Sequence, residues 1–466
     1  MLIVKRENAT YILCDRFCKH RIFYKISNDQ ISLFDHLLEE DCAYTLDSQA
    51  VKTFLVYRYV PTGQTLFAGI QQLMPGEILK IDQKNGVVNH LFENTFPLST
   101  PEPFDLIDAE KKYHVLLRQA LEKRISLVPP TEKIFLPLSG GFDSRVILAT
   151  VLDIIPSNRL IAFTYGQPGT YDYEIGRKVA RDIGVNHIQF PLDFHDYAEE
   201  KLLNNCIDTE GQISFALEAP LRVYKEIREF GQTILSGNAG GGIMGYLYMP
   251  EFDNSRSTEE IFFKDILCKH PALMNMMHDQ EMIEKSLYFD QTPKASINMY
   301  ERWMFNNHIT KYTHYCNYKM RSQFNYISPY LDHQVCDFAL SLPSNYRRLC
   351  KFYFQFIKDY YPKLANEPFT IFRGATLNSN RFTKYMTYQY DHARQILTGH
   401  YKRANKLDFA RYRKELVNYP SLQTFLSQLL EPTLVKTYFS AHPHDQMMHT
   451  IRSLQILCEH FNIKIQ

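Results

Sequence analysis

Short runs of β-branched and aromatic residues, separated by turn formers, mark the first 95 positions of the chain. Thr10 to Leu13, Arg21 to Lys25 and Glu77 to Ile81 read as strands, and Gln49 to Tyr57 reads as a short helix. Thr95 to Pro103 holds three prolines and little periodicity, which predicts a linker. Apolar residues then recur at helical spacing from Asp105 to Ile125, with Leu106, Tyr113, Leu116, Leu117, Ala120 and Leu121 on one side. From Ile134 strands and helices alternate. Strands are predicted at Ile134 to Leu138, Leu160 to Tyr165, Ile188 to Pro191 and Thr233 to Leu235, with helices near 144–153, 171–184 and 216–229. Such alternation predicts an α/β unit with a parallel sheet, which binds ligands beyond the carboxyl ends of its strands. Beyond about residue 255 the segments read as helical. The organisation expected is therefore a β-rich unit at 1–95, a linker at 96–104 and a larger α/β unit with a helical extension at 105–466.

Bulk properties narrow this picture little. A chain of 466 residues with 45% hydrophobic, 22% charged and 14% aromatic content has ample material for two globular cores. Lys and Arg total 52 against 51 Asp and Glu, so no global charge points to nucleic acid or an anionic membrane. Nine cysteines are scattered without a Cys-x-x-Cys pair, which argues against a zinc site or a disulfide framework and fits a reducing cytoplasm. No stretch of about eighteen apolar residues is present.

One segment carries chemistry. Phe135-Leu136-Pro137-Leu138-Ser139-Gly140-Gly141-Phe142-Asp143-Ser144 is an apolar strand that stops at Ser-Gly-Gly and leads into the helix-like run Val146 to Leu152. Adjacent glycines let backbone N–H groups approach an anion, and the following helix presents its partially positive end. Ser139 and Ser144 add hydroxyls. Asp143 beside a phosphate requires a cation between them, so Mg²⁺ with a nucleotide is the expected ligand pair. A Walker loop is excluded, because the Gly-Lys-Ser/Thr sequence is absent.

The Ser-Gly-Gly-x-Asp-Ser pattern resembles the pyrophosphate loop of the N-type ATP pyrophosphatases. With Ala162-Phe163-Thr164-Tyr165-Gly166, Asp172, Glu174, Ile234-Leu235-Ser236-Gly237 and Ser328-Pro329-Tyr330-Leu331-Asp332-His333, the larger unit resembles asparagine synthetases and their relatives, the β-lactam synthetases and lasso-peptide cyclases. The resemblance implies a PP-loop fold of the adenine nucleotide α-hydrolase-like kind. It also implies ATP held by Leu138, Ser139, Gly140, Gly141, Asp143, Ser144, Tyr165, Ser236 and Gly237, with Mg²⁺ on Asp143. Lys351 falls close to the family's catalytic lysine, which steadies the pentavalent phosphate, and a solvated helix lysine is the alternative. Arg145 is read either as reaching substrate or phosphates or as a surface ion pair.

Within 1–95, Asp15-Arg16-Phe17, Val56 to Phe67 and Leu73-Met74-Pro75-Gly76 resemble the later half of the family's glutaminase domain, a partial Ntn-hydrolase-like unit whose earlier half is missing. The family's nucleophile is a cysteine directly after the initiator Met. This chain begins Met1-Leu2, and Cys14 and Cys18 read as ordinary small apolar residues.

The second family loop departs from its pattern. It reads Ser236-Gly237-Asn238-Ala239-Gly240-Gly241-Gly242, with Asn238 at the position of a Glu and Gly241 at that of an Asp. Asn325 and Ile327 likewise replace a Glu and an Arg, and Glu251 and Asp253 are the nearby acids that would have to substitute. The expected protein is an AMP-forming amide ligase that adenylates aspartate or a similar small-molecule or peptide carboxylate. It would pass the acyl group to ammonia or an amine without a working glutaminase site. A lasso-cyclase-like or glycan-tailoring ligase and a nucleotide-binding pseudoenzyme stay open, as does a homodimer, a separate amidotransferase or a precursor protein as partner.

Overall fold

The computed structural model describes residues 2–27, 30–38, 43–57, 59–82, 88–92, 104–197, 203–211 apart from 205 and 208, 219–245, 301–398, 419–441 and 447–465. Glu251, Asp253 and linker residues 96–103 lie outside these.

The first unit holds two antiparallel sheets. Strands β1 (Leu2–Lys5), β2 (Ala9–Leu13), β3 (Phe23–Ser27), β4 (Gln30–Phe34), β5 (Thr45–Leu46), β6 (Ile70–Gln72), β7 (Glu77–Asp82) and β8 (Val88–Phe92) give the orders β1-β2-β7-β8 and β4-β3-β6. Ile12 and Leu79 from one sheet share a small core with Tyr24 from the other and with Cys14, Cys18, Ile22 and Leu73. Both cysteines are free and buried apolar residues, as read from the sequence. Helix α1 (Ser48–Tyr57) follows β5 and matches the predicted short helix to within one residue at its start.

The second unit opens with α2 (Leu106–Ile125), whose N-cap Asp105 accepts from the Asp108 amide. A parallel sheet of order β11-β10-β9-β12-β13 follows, made of β9 (Ile134–Pro137), β10 (Leu160–Gly166), β11 (Asn186–Pro191), β12 (Thr233–Leu235) and β13 (Asn325–Ile327). Crossovers run through α3 (Asp143–Leu152) and α4 (Tyr171–Ile183), and α4 ends on left-handed Gly184. The chain proceeds from β9 outward to β11 and then returns to β9's other side as β12. Strand order therefore reverses between β9 and β12, where a crevice opens at the carboxyl ends.

Alternate residues of the sheet serve two cores. Ile134, Leu136, Ala162 and Leu235 pack with α2, α3 and the helices His333–Ser341 and Lys351–Tyr360. Phe135, Phe163 and Ile234 share the other core with Leu221–Arg228 and with the C-terminal helices Tyr419–Ser427 and Met447–His460. Leu46, Val51, Phe54 and Leu66 of the first unit belong to that same core. Strand β14 (Lys464–Ile465) pairs with β5 in parallel, so the last described strand closes on the first unit. Among the described residues no helix is long and apolar enough to cross a membrane.

Candidate functional site

The loops that leave β9 and β12 face each other across the reversal point. A cavity of about 250 Å³ lies there, lined by Leu138, Ser139, Gly141, Asp143 and Ser144 from the first loop, Tyr165 at the end of β10, Asp172 at the start of α4, and Ser236 and Gly237 from the second loop. Every residue expected to hold ATP lines this cavity except Gly140, which sits between two that do. Lys351 is exposed at the start of its helix and does not line it.

The first loop is held from inside. The Ser139 amide donates to Ser144 Oγ at 3.3 Å, the Gly141 amide to Ser139 Oγ at 3.1 Å, and the Gly140 amide to Asp172 Oδ1 at 3.1 Å. Thr370 Oγ1 donates to the same Asp172 oxygen at 2.9 Å and lies 1.7 Å from where a Cβ on Gly140 would stand. Glycine at 140 is therefore set by close packing against Thr370, whereas the sequence suggested inward-turned amides. Asp172 and Thr370 are site residues that motif reading undervalued. Asp172 was legible as an acid in the first turn of the helix after β10. Thr370 was not, being 198 residues from Asp172.

Asp143 begins α3 at the crevice floor. Its residue is half-buried and its carboxylate is the enclosed part. Oδ2 accepts from the Gly241 amide at 3.0 Å, while Oδ1 is buried without a hydrogen-bond partner among the described residues. Burial pushes the carboxyl up to about 6, against the pull of the Gly241 amide and the Tyr353 hydroxyl. Tyr330 donates to the Asp143 carbonyl at 3.1 Å, and the Tyr330 and Tyr353 hydroxyls lie 2.6 Å apart. These tyrosines anchor the base of the loop and were not anticipated from its motif.

The second loop packs directly on Asp143, which explains Gly237 and Gly240. A Cβ on Gly237 would lie 2.9 Å from the Ser144 amide, and one on Gly240 would lie 2.6 Å from the Asp143 carboxylate. Ala239 enters the short turn Gly240–Ile243 with φ +69°, the left-handed region that disfavours side chains. Asn238 is held through its backbone, its amide donating to Ser236 Oγ and its carbonyl accepting from Ser328 Oγ at 3.1 Å. Among the described residues no group of three His, Cys, Asp or Glu side chains surrounds a common point.

Arg145 meets neither expectation raised for it. It is buried, donates to the Pro368 carbonyl at 2.6 Å and lies 4.1 Å over the Phe369 ring. Burial lowers its pKa to about 9. The residue fastens α3 to the segment that carries Thr370 and is not part of the cavity wall.

Comparison with known proteins places these loops in context. Asparagine synthetase [glutamine-hydrolyzing] 1 of Bacillus subtilis (strain 168) is 21% identical over 202 residues, 42% of this chain and 31% of that protein. Asparagine synthetase [glutamine-hydrolyzing] 2 of Arabidopsis thaliana is 28% identical over 171 residues, 34% of this chain and 29% of that protein. The match thus spans only about three tenths of these curated relatives. Among solved structures, glutamine-dependent NAD+ synthetase from Acinetobacter baumannii in complex with ADP aligns at 15% identity and a TM-score of 0.21, over 53% of this chain and 55% of that one. The asparagine synthase family model matches residues 113–350, just over half of the chain and the whole of the parallel sheet with both loops. The chain belongs to the asparagine synthase family.

Proposed function

We propose that this protein is an ATP-dependent, AMP-forming amide ligase that activates a carboxylate, aspartate or a similar acid, and transfers it to ammonia or an amine. The observation that carries the reading is Asp143, an acid on the wall of the crevice between two glycine-rich loops with one buried oxygen unpartnered. A carboxylate oxygen in that state fits a cation, and Mg²⁺ is commonly bound through one carboxylate together with substrate phosphates. Asp143 Oδ1 would hold it. When bound, the ion neutralises the triphosphate and the charge that builds on departing pyrophosphate.

The protein's own groups supply position. Substrate carboxylate oxygen forms a bond to the α-phosphorus, the α–β bridging P–O bond breaks, and pyrophosphate leaves with the electron pair. The amine nitrogen then attacks the acyl carbon, AMP leaves, and the surplus ammonium proton passes to solvent or to AMP. Ser139, Ser144 and the start of α3 provide donors for phosphate oxygens, and burial of the site strengthens them. Tyr165 offers a ring for the base or ribose.

The lack of an acid at 238 and 241 favours a second reading, a nucleotide-binding protein without turnover. Pyrophosphate release from ATP and Mg²⁺ separates the two, assayed with aspartate plus ammonia, aspartate plus glutamine, and neither. Turnover with ammonia is expected, and Asp143→Ala should lower it by at least about a hundredfold, as loss of a transition-state charge partner does elsewhere. ATP binding with no pyrophosphate under these conditions or with any other amine selects the second reading. Turnover that survives Asp143→Ala intact removes the Asp143 assignment.

A further inference from the structure

Successive residues of the second loop line different cavities. Ser236 and Gly237 border the one that holds Asp143, whereas Asn238 borders a second and larger cavity of about 420 Å³. Among the described residues its wall carries Lys19, Arg21, Arg124 and Arg321 against a single lining carboxylate, Asp35. Two of these cations are already matched, Arg21 by Glu210 at 2.8 Å and Arg124 by Asp332 at 3.0 Å. Lys19 and Arg321 have no ion pair among the described residues; Lys19 rests 5.4 Å over the Phe17 ring.

Physical chemistry makes this arrangement incomplete. Burial lowers the pKa of Lys19 and of Arg321; repulsion from Arg124 and Arg321 upon Lys19 and from Arg21 upon Arg321 adds to it, and the attraction of Asp15 and Asp332 for Lys19 and of Tyr326 and Asp15 for Arg321 offsets it only in part. Asn238 is 8% exposed, and its Nδ2 has no hydrogen-bond acceptor among the described residues. A buried donor left unmade costs free energy, as does a desolvated cation without a counter-charge. All three groups lack the same complement, which is an anion with several acceptor oxygens. The cavity is also far larger than ammonia needs, since a water-sized molecule occupies about 30 Å³ of liquid.

We propose that this cavity binds the anionic group of the amine substrate, through Lys19, Arg321 and Asn238, so that the nucleophile is a carboxylate- or phosphate-bearing amine. The identity of the ligand as a nucleophile rests on the ligase reading above; the anion site itself does not. Asn238 borders the larger cavity and directly follows Ser236 and Gly237, which border the other. An amine anchored on one side of it is carried toward an acyl group formed on the other.

Calorimetric titration of the full chain, with a non-hydrolysable ATP analogue occupying the first cavity, tests the site. Succinate and inorganic phosphate serve as separate probes, so the carboxylate and phosphate sources are told apart. One of them should bind, and Arg321→Gln and Lys19→Met should each weaken it about tenfold, the size of one lost charged hydrogen bond. Lys19 is half-buried near the cavity rim, so Lys19→Met keeps the test usable if Arg321→Gln fails to fold. No binding of either probe at millimolar concentration, or binding that both variants leave unchanged, overturns the proposal. Pyrophosphate release with glycine and with O-phosphoethanolamine, each against methylamine, then addresses the nucleophile. An anion site with no turnover on any amine overturns the ligase reading alone. Turnover on methylamine equal to that on both anionic amines overturns the present proposal alone.

Discussion

Gly241 stands where the family loop has an acid, and its amide donates to Asp143 instead. The glycine amide supplies a neutral hydrogen bond, which satisfies one carboxylate oxygen and leaves the other buried with no partner among the described residues. A Cβ at this position would sit 3.6 Å from Asp143 Oδ2, an ordinary contact, so an acid fits sterically. Gly241→Asp would set two carboxylates against each other in a poorly solvated crevice. Their repulsion should cost about 1–3 kcal/mol without metal and be relieved when Mg²⁺ bridges them. Thermal unfolding with and without millimolar Mg²⁺ reads this directly. The variant should melt below the wild type in chelator and gain more from Mg²⁺ than the wild type does. Equal Mg²⁺ responses in the two proteins would remove Asp143 from the metal site.

At the scale of elements, the segment Met304–Thr313 does what no sequence pattern announced. It winds as a π-helix, and its wider turn directs polar side chains into the first unit. Asn307 Oδ1 accepts from the Thr62 amide at 2.7 Å, and Lys311 Nζ donates to the Gln64 carbonyl and to Gln72 Oε1. Burial holds the Lys311 ammonium down at about 7. Unfolding returns it to its ordinary value near 10.5, so between these limits the unfolded chain binds the extra proton and stability rises with pH. The stability of the wild type relative to Lys311→Met should therefore climb from pH 7 to 9, at up to about 1.4 kcal/mol per pH unit. A flat or falling difference in denaturant titrations would show the ammonium to be solvated. The contrast with the parallel sheet is instructive. Its strands β9, β10 and β12 were legible because both faces are buried, so the positions are apolar except for Thr164 and Thr233 and the strand-end Gly166. Strand β13 is three residues long and was missed, its start at Asn325 marked by an exposed polar residue. Strands β1 and β4 were missed for a related reason, with mostly exposed or half-exposed positions and no buried alternation to read. The Ser139 to Ser144 loop is local and announced itself. The cavity around Lys19 and Arg321 draws on residues some 300 positions apart and could not.

For the whole molecule, the sequence division at the proline-rich stretch does not coincide with a division of the core. Val51 and Phe54 of the first unit share one cluster with Phe163 of the sheet and Leu457 near the chain end. Arg21 and Glu210 form a buried ion pair between the units, with side chains 5% and 2% exposed. Glu210 also accepts from the Leu37 amide at 2.9 Å and from Tyr315 at 3.0 Å, so one carboxylate collects donors from three distant segments. Removing it leaves a buried guanidinium uncompensated, a change that costs about 3–5 kcal/mol. If the shared core makes folding cooperative across the boundary, Glu210→Ala should shift the melting of both units together, as one calorimetric transition at lower temperature. Fluorescence of Trp303, which lies 6.0 Å from Tyr59 across the boundary, should move with the same midpoint as far-ultraviolet dichroism. Two transitions, of which only one responds to Glu210→Ala, would mean that the units fold separately. The cavity that borders Asn238 is built from residues of both units, so in that case it would open before the nucleotide crevice unfolds, and binding of the two probes would be lost at a lower temperature than binding of ATP.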